Sequence, residues 1–188
     1  MHWSDFSIGF WHPFGVHADE SPECILERKR DEINRIGWTL WSFQWRKSLD
    51  AWRDLVAEAR SVFVLCSDSP GAQDPKTKPT ASRFYRAGHC CKSIEIPDGI
   101  AVPHPANRAG LGSAFVVEQV LTLNQAANNP AFGIEWLQMT KTKEWRRHDP
   151  LPTRGEYLIR TPGPVRLRPI YAVLRLRAPF LVEISNCR

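Results

Sequence analysis

The sequence predicts an α+β fold: a mixed sheet that begins with a strand–helix–strand–helix–strand segment, ends in antiparallel strands, and could curl into a partly closed barrel. Three observations lead there. Residues 1–66 alternate three short apolar runs with two segments of helical periodicity that carry clear start signals. Residues 67–188 hold further strand-like runs with no helix signal of comparable quality between them. Positive charge is concentrated at the end: residues 141–188 hold 11 Lys and Arg against 4 Asp and Glu, whereas residues 1–140 hold 14 against 16. At 188 residues and 43% hydrophobic, the chain fits a single domain, residues 1–188, around one core.

Residues 6–11 are a short apolar run, and Pro13 should end the strand they form. The first helix has Ser21 as N-cap, Pro22 at the first helical position and Glu23 in the first turn, and Gly37 ends it. Ile25, Leu26, Lys29, Ile33 and Ile36 fall within about 100° on the helical wheel, so this face should lie on the sheet with the Lys29 stem helping to cover it. Residues 38–45 alternate, with Thr39, Trp41, Phe43 and Trp45 on one face of a strand. Ser48 can cap a second helix whose apolar stripe is Leu49, Trp52, Leu55, Val56 and Ala59. Residues 61–66 contain the continuous run Val62, Phe63, Val64 and Leu65, which suits a strand buried on both faces. Helices of this length between strands act as right-handed crossovers, so the first three strands are expected to be parallel.

The pattern then changes. Residues 67–82 contain Pro70, Gly71, Pro75 and Pro79 among polar residues and read as a long surface loop. Strands are expected at 92–96, 114–123, 134–140, 157–160, 166–176 and 180–184, mainly antiparallel.

The amino terminus has neither a basic n-region nor a long apolar h-region, and no run reaches the length of a membrane span. The five cysteines, at 24, 66, 90, 91 and 187, form no regular framework, as expected of reduced thiols in a cytoplasmic protein. Cys24 reads as an ordinary surface cysteine, and Cys90 and Cys91 as the small residues of a strand start. Six of the eight Trp (Trp3, Trp11, Trp38, Trp41, Trp45 and Trp52) fall in the first 52 residues. They point to a dense aromatic core more than to a surface.

Two constellations could carry function. Parallel strands would bring the loops after them to one sheet edge, where ligands bind in open α/β architectures. Those loops would hold His12, His17 and Glu20 after the first strand, Arg46 and Lys47 after the second, and Asp68 after the third. A hydrolase could use His12 or His17 as general base, Glu20 or Asp68 to orient it, and Arg46 or Lys47 to hold an anionic substrate. The spacing from His12 to His17 matches no metal motif, and the sequence calls for no cofactor.

The second constellation is the basic tail. Lys141, Lys143, Arg146 and Arg147 surround Trp145, a mixture that suits a phosphate backbone with a base stacked on the ring. Arg166 and Arg168 share one face of an ideal strand, and Arg175 and Arg177 lie on the other unless a bulge near Pro169 reunites them. Four acids cannot neutralise eleven bases, so the leading expectation is a module that binds a nucleic acid or another phosphate-bearing ligand. The hydrolase is the alternative, and a protein interaction module built on exposed Trp residues is the third.

Overall fold

The computed structural model describes residues 8–14, 21–43, 49–57, 59, 61–68, 84–85, 89–91, 95, 102–103, 111–122, 137–139, 145–147, 157–160 and 170–186. In chain order the elements are β1 (Ile8–Phe14), α1 (Pro22–Ile36), β2 (Thr39–Phe43), α2 (Leu49–Val56), β3 (Val62–Asp68), β4 (Phe84–Tyr85), β5 (His89–Cys91), β6 (Val102–Pro103), β7 (Leu111–Thr122), β8 (Leu137–Met139), β9 (Trp145–Arg147), β10 (Tyr157–Arg160) and β11 (Ile170–Asn186). The main sheet runs β2-β7-β11-β3-β1-β10-β8-β9, with β5 paired to the far end of β11, while β4 and β6 form a separate two-stranded sheet. The fold is α+β with a mixed sheet.

Helix α1 forms where its signals predict. The Ser21 side chain accepts a hydrogen bond from the Cys24 amide at 3.3 Å, satisfying a donor that the first turn leaves without a partner. At the other end Gly37 adopts φ 91°, and its amide donates to the Ile33 carbonyl at 2.7 Å. Only glycine takes that left-handed conformation without a Cβ penalty. Cys24 is exposed, as an ordinary surface cysteine would be.

The buried face of α1 contains one residue that its apolar stripe does not foretell. Glu32 is buried beside Lys29 and meets Thr39 of β2. The Lys29 ammonium donates to the Glu32 carboxylate at 2.9 Å and to the Thr39 hydroxyl at 3.1 Å, and Thr39 donates to Glu32. Arg28 reaches the second oxygen of the Glu32 carboxylate at 3.3 Å. Lys29 was expected to cover the sheet with its stem. Its head is buried too, because a carboxylate and a hydroxyl replace its water.

Three sequence expectations are corrected by the strand pairing. The first three strands are not all parallel. β1 and β3 pair in parallel, but β2 pairs antiparallel with β7, β7 with β11 and β11 with β3, so β2 runs opposite to β1 and β3. The long strands β7 and β11 come from the second half of the chain and separate β2 from β3, an arrangement no local signal reports. The sheet is not closed, since β2 and β9 stand at its two ends and do not pair. Strand β1 also runs through Pro13. Its ladder with β10 ends at Trp11 while its ladder with β3 continues to Phe14, so Pro13 sits where, among the described residues, one side of the strand carries no partner.

Other boundaries shift by a few residues. β3 continues past Cys66 to Asp68 into the segment expected to be loop, whose residues 69–82 lie outside the described residues. Cys90 and Cys91, read as the small residues of a strand start, lie in β5, while of the strand expected at 92–96 only Glu95 is among the described residues, in neither helix nor strand. The runs at 166–176 and 180–184 join as one strand, β11, while β4, β6 and β9 were not foreseen.

Strand β11, the longest at 17 residues, is irregular. Its register against β3 shifts between Ile170 and Ala172, so Tyr171 is an extra residue; Arg166 and Arg168, whose face such a bulge would bear on, lie outside the described residues. Against β7, Leu176 pairs with Val117 and Leu181 with Phe115, which leaves residues 177–180 opposite a single partner. Within that bulge Arg177, Ala178 and Pro179 are exposed, while Phe180 takes φ 62° and packs on the core. The left-handed conformation costs a non-glycine residue about 1–2 kcal/mol. Burial of the Phe180 ring offsets it.

The sheet is strongly curled. Phe10 of β1 and Phe115 of β7 have ring centroids 5.0 Å apart although β3 and β11 lie between their strands. Three strand spacings would be about 14 Å on a flat sheet. The concave face therefore wraps around Phe10, Trp41, Val64, Phe115, Leu174 and Leu181, and the helices add Ile25, Leu26, Trp52 and Val56. On the opposite face Leu40, Ala114, Val116, Val182 and Ile184 form a second cluster. All five residues from Val62 to Cys66 are buried, as their continuous apolar run foretells. Gly9 sits where β1 and β3 approach closely: a Cβ there would lie 2.8 Å from the Phe63 carbonyl oxygen. That contact explains a glycine in the middle of a central strand.

Candidate nucleic-acid interface

The strands expected to bring their loops to one edge around His12 do not all end at that edge. His12 is within β1, in register with Cys66, and is only 8% exposed. Its ring stands edge-on to Trp41 at 5.9 Å and to Phe115 at 6.4 Å. Asp68 ends β3 in register with Phe14, so it does share the edge at which β1 ends. The end of β2, however, is at the opposite edge. Phe43 pairs with Ser113 near the start of β7, whereas the β3 end lies beside Ile170, whose neighbour Ala172 pairs with Thr122 at the far end of β7. Arg46 and Lys47 follow β2 and lie outside the described residues, as do His17 and Glu20. Among the described residues no group of His, Cys, Asp and Glu could hold a metal ion.

Cys66 faces the same core. Burial pushes its thiol well above the ordinary range, because the apolar surroundings disfavour the thiolate. Native protein treated with iodoacetamide should therefore be alkylated at Cys24 and not at Cys66, as peptide mass spectrometry would show. The neutral thiol is favoured by folding, so its contribution to stability is present below the unfolded thiol pKa and declines as pH rises through and beyond it. Rapid native labelling at Cys66 would contradict this burial.

The described tryptophans of the N-terminal cluster are mostly core. Trp11, Trp41 and Trp52 are buried and Trp38 is half-buried, while Trp3 and Trp45 lie outside the described residues. Trp52 packs against Phe10 with centroids 5.4 Å apart. The interaction-module alternative loses these side chains as a docking surface.

The basic tail is divided by strand register. Arg147 pairs with Leu137, Leu137 with Arg160, and Arg160 with Ile8, so these positions share a row on the face that carries Phe10 and the helices. Trp145, two residues from Arg147, pairs with Met139 on that same face. The other row runs Arg146, Gln138, Ile159, Gly9, Phe63, Arg175, and belongs to the opposite face. Gly9 and Phe63 in its middle are buried, so Arg146 and Arg175 are held apart by covered sheet. Arg175 and Arg177 are exposed, and Arg175 pairs with Glu118 at 2.9 Å. This pair removes one of the cations counted from the sequence, with the small energetic weight of a solvent-screened bridge.

Arg147 and Arg160 are separated by one strand, about 10 Å at ordinary strand spacing. Among the described residues, the helices pack chiefly on β2, β7 and β11, with Trp52 of α2 also against Phe10 of β1. The sequence singled out Trp145 and Arg147 but not Arg160, which joins them only through the β8–β9 and β8–β10 ladders. Lys141, Lys143, Arg166 and Arg168 lie outside the described residues.

The chain matches no protein-family model, no curated protein and no solved structure. No helix among the described residues is long and apolar enough to cross a membrane.

Proposed function

We propose that this protein binds a nucleic acid or another phosphate-bearing ligand through the face of β8, β9 and β10 that carries Trp145, Arg147 and Arg160. The observation that carries this reading is the shared register row: two guanidinium-bearing positions about 10 Å apart with an indole-bearing position beside them. Guanidinium groups suit phosphate oxygens in bidentate geometry, and an indole offers a stacking surface. The net charge of +5 and its concentration in residues 141–188 supply attraction at a distance, to which Lys141, Lys143, Arg166 and Arg168 would add. Arg146 belongs to the other face and is left out of the direct contact set.

Retention on a polyanion column tests the proposal. The Arg147→Ala/Arg160→Ala variant should elute at distinctly lower salt than the unaltered protein, and Arg175→Ala, on the opposite face and paired with Glu118, should elute with it. Co-elution of the double variant with the unaltered protein would sink the proposal. The hydrolase reading has no comparable support, because β2 ends at the edge opposite to β1 and β3.

A further inference from the structure

We infer that the ligand of this face is a single-stranded nucleic acid, lying across the strands with its bases against the sheet; the inference rests on the binding reading above. The composition of the face carries it. Between and beside the cationic positions Arg147 and Arg160 stand Leu137, Met139, Leu158 and Trp145, which share the face by register. A duplex presents phosphates and sugars outward and keeps its bases stacked inside, so a duplex-binding face is built of cations and hydrogen-bonding groups. Apolar and aromatic positions set between cations match a strand whose bases are free to stack while its phosphates are neutralised.

The extent of the face agrees. The row from Arg147 to Arg160 crosses three strands, a span of about 10 Å, which suits a few nucleotides rather than the repeated backbone contacts of a duplex. Among the described residues two further arginines do not widen it: Arg146 and Arg175 are on the opposite face, and buried Gly9 and Phe63 separate them.

Fluorescence anisotropy with labelled ten-nucleotide oligo-dT, oligo-rU and a ten-base-pair duplex, each measured over a salt series, tests the inference. Both single strands should bind at least about tenfold tighter than the duplex. Trp145→Ala should weaken single-strand binding by about 5- to 100-fold while leaving duplex binding unchanged, and Trp145→Phe should restore most of the loss. Arg147→Ala and Arg160→Ala should each lower the salt slope for single strands by about 0.7. Equal or tighter duplex binding, or a Trp145→Ala variant with unaltered preference, overturns the single-strand inference and leaves the binding proposal standing. Absence of binding to all three probes also overturns the single-strand inference, and co-elution of the Arg147→Ala/Arg160→Ala variant with the unaltered protein on the polyanion column overturns the binding proposal with it.

Discussion

Replacing Glu32 with Leu should cost the fold about 3–5 kcal/mol, read as a lower urea midpoint with an unchanged slope. The carboxylate is buried against Lys29, Thr39 and Arg28, and Lys29 is as deeply buried as its partner. Without Glu32, the ammonium loses the carboxylate at 2.9 Å and keeps the Thr39 hydroxyl at 3.1 Å. A buried charge that loses its counter-ion costs far more than the pair contributes. The double variant Lys29→Met/Glu32→Leu should therefore recover most of the loss, because two apolar side chains of similar length remove both charges together. A double variant less stable than Glu32→Leu would mean that the pair is not coupled as the geometry indicates.

Truncating Phe10 to Ala should cost about 3–5 kcal/mol. Its ring is fully buried, meets Trp52 of α2 at 5.4 Å and Phe115 of β7 at 5.0 Å, and thereby ties three separate elements together. The informative measurement is the double-mutant cycle between Phe10 and Phe115. A coupling of about 0.5–1.5 kcal/mol is expected for a tilted aromatic pair. On a flat sheet of this strand order the two rings would be about 14 Å apart and their changes would simply add. Additivity would therefore contradict the curl of the sheet, and coupling would support it.

These two sites show how differently sequence and tertiary structure contribute. Helix α1 is legible because its determinants are local: Ser21, Pro22 and Gly37 act on backbone groups within one turn, and Ile25 and Leu26 recur at helical spacing. The run Val62 to Cys66 is legible for the same reason, since unbroken apolar character needs cover on both sides. Glu32 was not legible as a buried residue. Its partner Thr39 lies on another element, and although Glu32 falls about 20° beyond Ile25 at the edge of the apolar stripe, a glutamate is rarely buried without a partner.

The candidate site divides in the same way. Sequence alone determined that positive charge gathers in residues 141–188, that Trp145 stands among cations, and that a strand with Arg175 and Arg177 on one face would have to be irregular near Pro169 to join Arg166 and Arg168. Only the tertiary structure decided that β2 runs against β1 and β3, so that its end is at the edge opposite to theirs, and that position 160 shares a face with positions 145 and 147 while position 146 does not. The physical reason is the two-residue period of a strand. It fixes which neighbours along the chain share a face, but which strands lie side by side depends on burial and hydrogen bonding between segments far apart in sequence.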